Sequence, residues 1–139
     1  MRPFWRIYFN AFTLSLIGFG ALLCAGAFEP TSGPVKQLLA ILGPAGPDAF
    51  HPVLRFALGL MGAITIGWAI TLHGVIRFAM AHGREARPLW LAMIFGLTGW
   101  YVIDGICSVA TGFALNLIPN TILAVMFGVG IVGSGVLKR

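Results

Sequence analysis

The chain has 139 residues, 58% of them hydrophobic and 9% charged, with a formal net charge of +5. A soluble domain carries ~25% charged residues, so these few polar groups cannot cover a globular surface, and the surrounding solvent must be lipid. The basic balance does not signal nucleic acid, because Lys and Arg stand at the ends of apolar runs and form no patch on a soluble module.

The first apolar run covers residues 7–28, behind Met1-Arg2-Pro3-Phe4-Trp5-Arg6. It has the ~20 residues that a crossing requires. That exceeds an ordinary signal-peptide core, so the run reads as an uncleaved signal-anchor helix, with Ala25-Gly26-Ala27 as a possible cleavage site. A segment with prolines at 30, 34, 44, 47 and 52 follows. Inside it, residues 35–42 are apolar but too short to cross, and are expected at the membrane interface.

The second span is expected over residues 53–81 and contains His73. Residues 82–87 form a short basic loop. Pro88 suits the first turn of a third span that reaches to about residue 113. Residues 114–118 predict a tight turn, after which Pro119 and Asn120 open a fourth span over about 119–137. The whole of 1–139 then forms one domain, an all-α membrane protein built as a four-transmembrane-helix bundle. With four spans, Arg2, Arg6, Arg77, Arg84, Arg87, Lys138 and Arg139 fall on one side, and Lys36 and Arg55 on the other. The excess of Lys and Arg on cytoplasmic loops predicts both termini inside and the Pro-rich loop outside.

Small residues recur on every span: Gly18 and Gly20; Gly59, Ala63 and Gly67; Gly96, Gly99, Ser108 and Gly112; Ala124, Gly128, Gly130 and Ser134. Such faces let helix backbones approach closely in lipid. Bundle packing explains most of them, and a spare face for another subunit would explain the remainder.

Asp104 lies in the otherwise uncharged stretch from Pro88 to Leu137. A charge at a helix centre in the bilayer costs at least ~2.5 kcal/mol, so Asp104 requires a partner, a cavity or an ion. Placed ~13 Å below the outer boundary, it is within reach of Arg55, and an Asp104–Arg55 ion pair is expected. The alternatives are a proton or cation site, or an anchor for a partner. His73 lies ~12 Å from the inner side, too far in depth to act with Asp104. It is expected to hydrogen-bond to a neighbouring helix, for example through Thr98. Ala69-Ile70-Thr71-Leu72-His73 also resembles the helices of bacterial antenna polypeptides that bind chlorophyll, so pigment or haem at His73 is an option that the sequence does not require. His51 and His82 sit at the membrane edges and offer no second axial ligand at that depth. Cys24 and Cys107 both fall near outer span ends; a disulfide is conceivable, and two buried packing thiols are expected. Trp5, Tyr8 and Trp90 suit anchoring at the inner interface, and Trp68 and Trp100 suit core contacts. Asn116 and Asn120 bracket the outer turn, where helix capping accounts for at least one of them. No nucleophile–base arrangement, phosphate-binding loop or metal-protease signature is present, so catalysis is not expected.

The run Asp104-Gly105-Ile106-Cys107-Ser108-Val109-Ala110-Thr111-Gly112, with Asn116 and Asn120 beyond it, resembles a pattern in small uncharacterised four-helix inner-membrane proteins of proteobacteria. The likeness covers roughly the last third of the chain. It implies a bacterial inner membrane and a four-span fold, and it makes Asp104, Ser108, Asn116 and Asn120 one structural unit. It implies no activity. The functional expectation is a non-catalytic accessory or scaffold subunit among other membrane proteins. A small oligomeric transporter or channel using Asp104, and a pigment- or haem-binding subunit using His73, are the alternatives.

Overall fold

The computed structural model describes residues 3–43 and 49–138. Arg2, Pro44, Pro47 and Arg139, which entered the sequence reading, lie outside the described residues. Every regular element among the described residues is helical: α1 (Pro3–Ala25), α2 (Gly33–Leu42), α3 (Pro52–His82), α4 (Arg87–Ala110) and α5 (Leu117–Ser134). Short 3-10 turns at Glu29–Thr31, Gly83–Ala86 and Ala114–Asn116 link them. Among the described residues, three helical stretches are long and apolar enough to cross a membrane: Pro3–Ala25, Pro52–Ala110 and Ala114–Ser134. The second of these folds back on itself at Gly83–Ala86, since Trp68 of α3 lies against Trp100 of α4 with ring centroids 6.3 Å apart. α2 is the short apolar helix foreseen in the Pro-rich segment, starting two residues earlier than expected.

Helix starts follow the local chemistry. Pro52 and Pro88 occupy first-turn positions, where a missing N–H costs nothing. His51 caps α3, with Nδ1 accepting from Val53 N at 3.3 Å. α4 stops at Ala110 and not near residue 113, because Gly112 takes a left-handed conformation (φ +83°). The N–H of Phe113 then bonds the Ser108 carbonyl at 2.8 Å, and that of Gly112 bonds the Val109 carbonyl at 3.2 Å. This paired closure satisfies carbonyls that the helix end would otherwise leave open. α5 begins at Leu117, so Pro119 falls inside its first turn.

α1 and α3 share the most extensive contact in the molecule, and they run antiparallel. A Cβ on Gly20 would lie 2.7 Å from Ile66 Cγ1 and 2.9 Å from the Gly62 carbonyl. The two helices therefore meet backbone to backbone at Gly20 and Gly62. The expected ladder of Gly59, Ala63 and Gly67 is only partly used: Gly59 meets Ala27, whereas Ala63 is exposed and Gly67 faces open space. α5 also packs on α1, where Gly130 receives the Phe9 ring. Phe9, Phe12, Trp90 and Phe127 form an aromatic centre, with Phe9 lying 5.4 Å from Trp90 and 6.2 Å from Phe127. Trp90 is fully buried there and is not an interfacial anchor. It stands in the first turn of α4, where the hairpin with α3 closes over it.

The two ends of the molecule differ in charge. Arg6, Arg77, Arg84, Arg87 and Lys138 are exposed around the end that holds the α3–α4 turn. At the other end, Lys36 and Arg55 both pair with Glu29. Gly62→Val should lower the thermal unfolding midpoint of the detergent-solubilised protein, at a cost on the order of 2 kcal/mol from overpacking. Gly67→Ala, on open surface, should leave the midpoint unchanged. Equal effects of the two substitutions would rule out the Gly20–Gly62 contact.

Candidate functional site

The polar cluster is assembled at the α4–α5 turn. Asp104 and Ser108 are four residues apart on α4, so they share a helix face. Asn116 and Asn120 repeat that spacing across the start of α5. The Gly112 turn brings the second pair back onto the first, and Gly105 gives room for the Leu117 side chain 3.0 Å from where a Cβ would stand. Asp104 Oδ2 accepts from Asn116 Nδ2 at 3.0 Å, from Asn120 Nδ2, and from Ser108 Oγ at 3.4 Å. Asn116 Nδ2 also donates to Ser108 Oγ at 3.0 Å. Ser108 and Asn120 are buried, while Asp104 and Asn116 are half-buried. One turn deeper, Tyr101 Oη lies 2.9 Å from Thr121 Oγ1, a second polar link between α4 and α5 that the sequence reading did not include.

Arg55 does not join this cluster. Its guanidinium pairs with Glu29, its Nε donates to the Phe50 carbonyl at 3.2 Å, and it lies 5.8 Å from the Phe50 ring. The expected Asp104–Arg55 pair is replaced for a geometric reason. The 3-10 turn at Glu29–Thr31 delivers a carboxylate to the start of α3, and Arg55 meets it first. Among the described residues, no Lys, Arg or His forms an ion pair with Asp104. The early end of α4 also places Asp104 nearer the turn than expected, six residues before Ala110, or ~9 Å along the helix.

His73 is half-buried between α3 and α1. Its Nδ1 lies 2.9 Å from Thr13 Oγ1 and not near Thr98, which is exposed on α4. The Thr13 hydroxyl is fully buried, with the carbonyls of Phe9 and Asn10 each 3.1 Å away. When that hydroxyl proton goes to an α1 carbonyl, Nδ1–H of His73 donates to Oγ1, and Nε2 keeps the lone pair. Thr13 was missed because nothing in the sequence says which helix covers the His73 face of α3. Trp68 beside Trp100 sets Asp104 about level with Ile64, nine residues or ~13 Å from His73, so the two polar sites are separate.

Both cysteines are free thiols. Cys24 is half-buried, with Sγ 3.7 Å from the Gly59 carbonyl, and Cys107 is exposed; the expectation of two buried thiols is therefore met in part by Cys24 and fails for Cys107. Among the described residues, no group of three or more His, Cys, Asp or Glu side chains could hold a metal ion. An apolar groove of about 300 Å³ runs between α3 and α4, lined by Trp68, Leu72, Val75, Met93, Gly96 and Phe127 among others. No protein-family model, curated protein or solved structure matches this chain.

The Asp104 cluster makes a quantitative prediction. A double-mutant cycle pairing Asp104→Asn with Asn120→Leu should give a coupling of about 1 kcal/mol, the scale of an intramembrane hydrogen bond. The same cycle between Asp104→Asn and Arg55→Gln should give none. Coupling to Arg55 in place of Asn120 would contradict the geometry.

Proposed function

We propose that this chain crosses the bilayer four times and serves as a small non-catalytic accessory subunit of a larger complex in the bacterial inner membrane. The four-crossing reading rests on length. A straight helix over Pro52–Ala110 would span ~88 Å, against ~30 Å of hydrocarbon, and its two halves fold back at Gly83–Ala86. The charge difference between the ends supports the orientation, with both termini and the α3–α4 turn in the cytoplasm and α2 outside. Among the described Lys and Arg residues, only Lys36 and Arg55 stand at the outer end, and they share the single carboxylate of Glu29.

The observation that carries the subunit reading is the open side of the bundle. α1 packs closely along α3, whereas α3 and α4 leave the 300 Å³ groove between them. Gly67, Gly96 and Gly99 have no neighbouring atoms that a Cβ would meet. Lipid gives packed helices no hydrophobic driving force, so unfilled small-residue surface favours a further helix. Gly130 and Ser134, small residues that would also suit a partner face, are buried within the chain and belong to its own core.

A second reading, a small oligomeric transporter or channel, is favoured by one observation: the half-buried Asp104 carboxylate has no basic partner among the described residues. Under that reading, liposomes should show a cation or proton flux that Asp104→Asn abolishes.

Two measurements test the first reading. In a chain with Cys24 and Cys107 replaced, an engineered cysteine at the exposed Gln37 should label in whole cells, and one at the exposed Glu85 only after permeabilisation. The reverse pattern would invert the orientation. In gentle detergent the protein should run in a particle well above its own 14.8 kDa. Gly96→Leu should release it with its thermal midpoint intact, whereas Gly130→Leu should lower the midpoint itself. A lone monomer unaffected by Gly96→Leu would defeat the subunit reading.

A further inference from the structure

We propose that Asp104, Ser108, Asn116 and Asn120 form a binding site for one monovalent alkali cation of about the size of Na⁺. The inference names a ligand for the site invoked in the transporter reading. It is a statement about binding, and it holds equally for a bound structural ion.

Four side chains from α4, the 3-10 turn at Ala114–Asn116 and α5 converge on one point. Asn116 Nδ2 lies 3.0 Å from both Asp104 Oδ2 and Ser108 Oγ, and Ser108 Oγ lies 3.4 Å from Asp104 Oδ2. Asn120 reaches the same carboxylate oxygen. A half-turn of each Asn amide exchanges its NH₂ for its carbonyl oxygen at nearly the same place. The cluster then offers a carboxylate, a hydroxyl and two amide carbonyls, all hard oxygen ligands of the kind that suit alkali and alkaline-earth ions. Oxygens ~2.4 Å from an ion and at right angles about it stand ~3.4 Å apart. The Asn116 and Ser108 spacings need to open by at most a few tenths of an ångström, and Asn120 must draw back further from the carboxylate oxygen it now touches.

Charge selects the ion. The four side chains carry a single negative charge, and Arg55, the basic residue nearest in expectation, is engaged with Glu29. One monovalent cation makes the cluster neutral, whereas a divalent ion would leave a positive charge at the edge of hydrocarbon, where uncompensated charge is expensive. The helix ends do not oppose this. The first turn of α5 repels a cation and the last turns of α4 attract one, and the two lie side by side at the same level. Entry is short, because Asp104 and Asn116 are half-buried and the cluster lies within two turns of the end of α4.

The test compares the full chain in detergent with NaCl or with choline chloride, at fixed pH and ionic strength. Unfolding is followed by Trp fluorescence, with Trp100 one turn from Asp104. The midpoint should rise by ~5 °C or more between ~1 and ~100 mM Na⁺, because an ion that binds only the folded state stabilises it. Asp104→Asn should remove the response. Asn120→Asp, which gives the cluster a second negative charge, should transfer the response to Ca²⁺. Equal midpoints in Na⁺ and choline, or a Na⁺ response that survives Asp104→Asn, would overturn the proposal. If Asp104→Asn does not fold, equilibrium binding of radiolabelled sodium to the wild-type chain decides: one ion per chain supports the site, and none refutes it. Stoichiometric binding without flux in liposomes would sink the transporter reading and leave this inference standing.

Discussion

The close approach of α1 to α3 at Gly20 and Gly62 is the contact on which the other arrangements depend. In lipid, helices gain nothing from leaving water, so association rests on packing and on polar groups that satisfy one another. Two glycines facing each other bring the backbones together and set the register of the antiparallel pair. That register puts Thr13 beside His73 and Cys24 beside Gly59. It also turns Phe9 and Phe12 inward, where Phe127 of α5 and Trp90 of α4 complete the centre. Tyr8 adds a polar link from α1 to α5, donating to the Met126 carbonyl at 2.7 Å.

A second, independent polar assembly holds the other side. Asp104, Ser108, Asn116 and Asn120 tie α4 to α5 near their shared turn, and Tyr101 with Thr121 extends the tie one turn deeper. The α3–α4 hairpin joins these two halves, and an apolar groove lies open between its two helices. The close α1–α3 contact and the open α3–α4 groove thus share one helix, α3.

How much of this could be read from the sequence depended on the range of the interaction. The helices were legible because long apolar runs leave few alternatives. The Asp104 cluster was legible because its members lie within seventeen positions of one another, at helical spacing around one turn. The partner of Arg55 was not, since Glu29 sits in the Pro-rich segment and only the 3-10 turn there swings it onto α3. Thr13 was chosen over Thr98 by the packing of α1, which no local pattern encodes. The depth of Asp104 was misjudged for a local reason that was visible in principle: Gly112, followed by an apolar Phe113, is the pattern of a helix stop.

The α1–α3 register can be measured directly by oxidative cross-linking. With Cys24 and Cys107 replaced, Thr13→Cys and His73→Cys should form a disulfide rapidly in membranes, because the two side chains are in contact. Leu14→Cys with His73→Cys should not, because Leu14 points out of the bundle. Cross-linking of 14 with 73 in preference to 13 with 73 would contradict the register and, with it, the core built upon it.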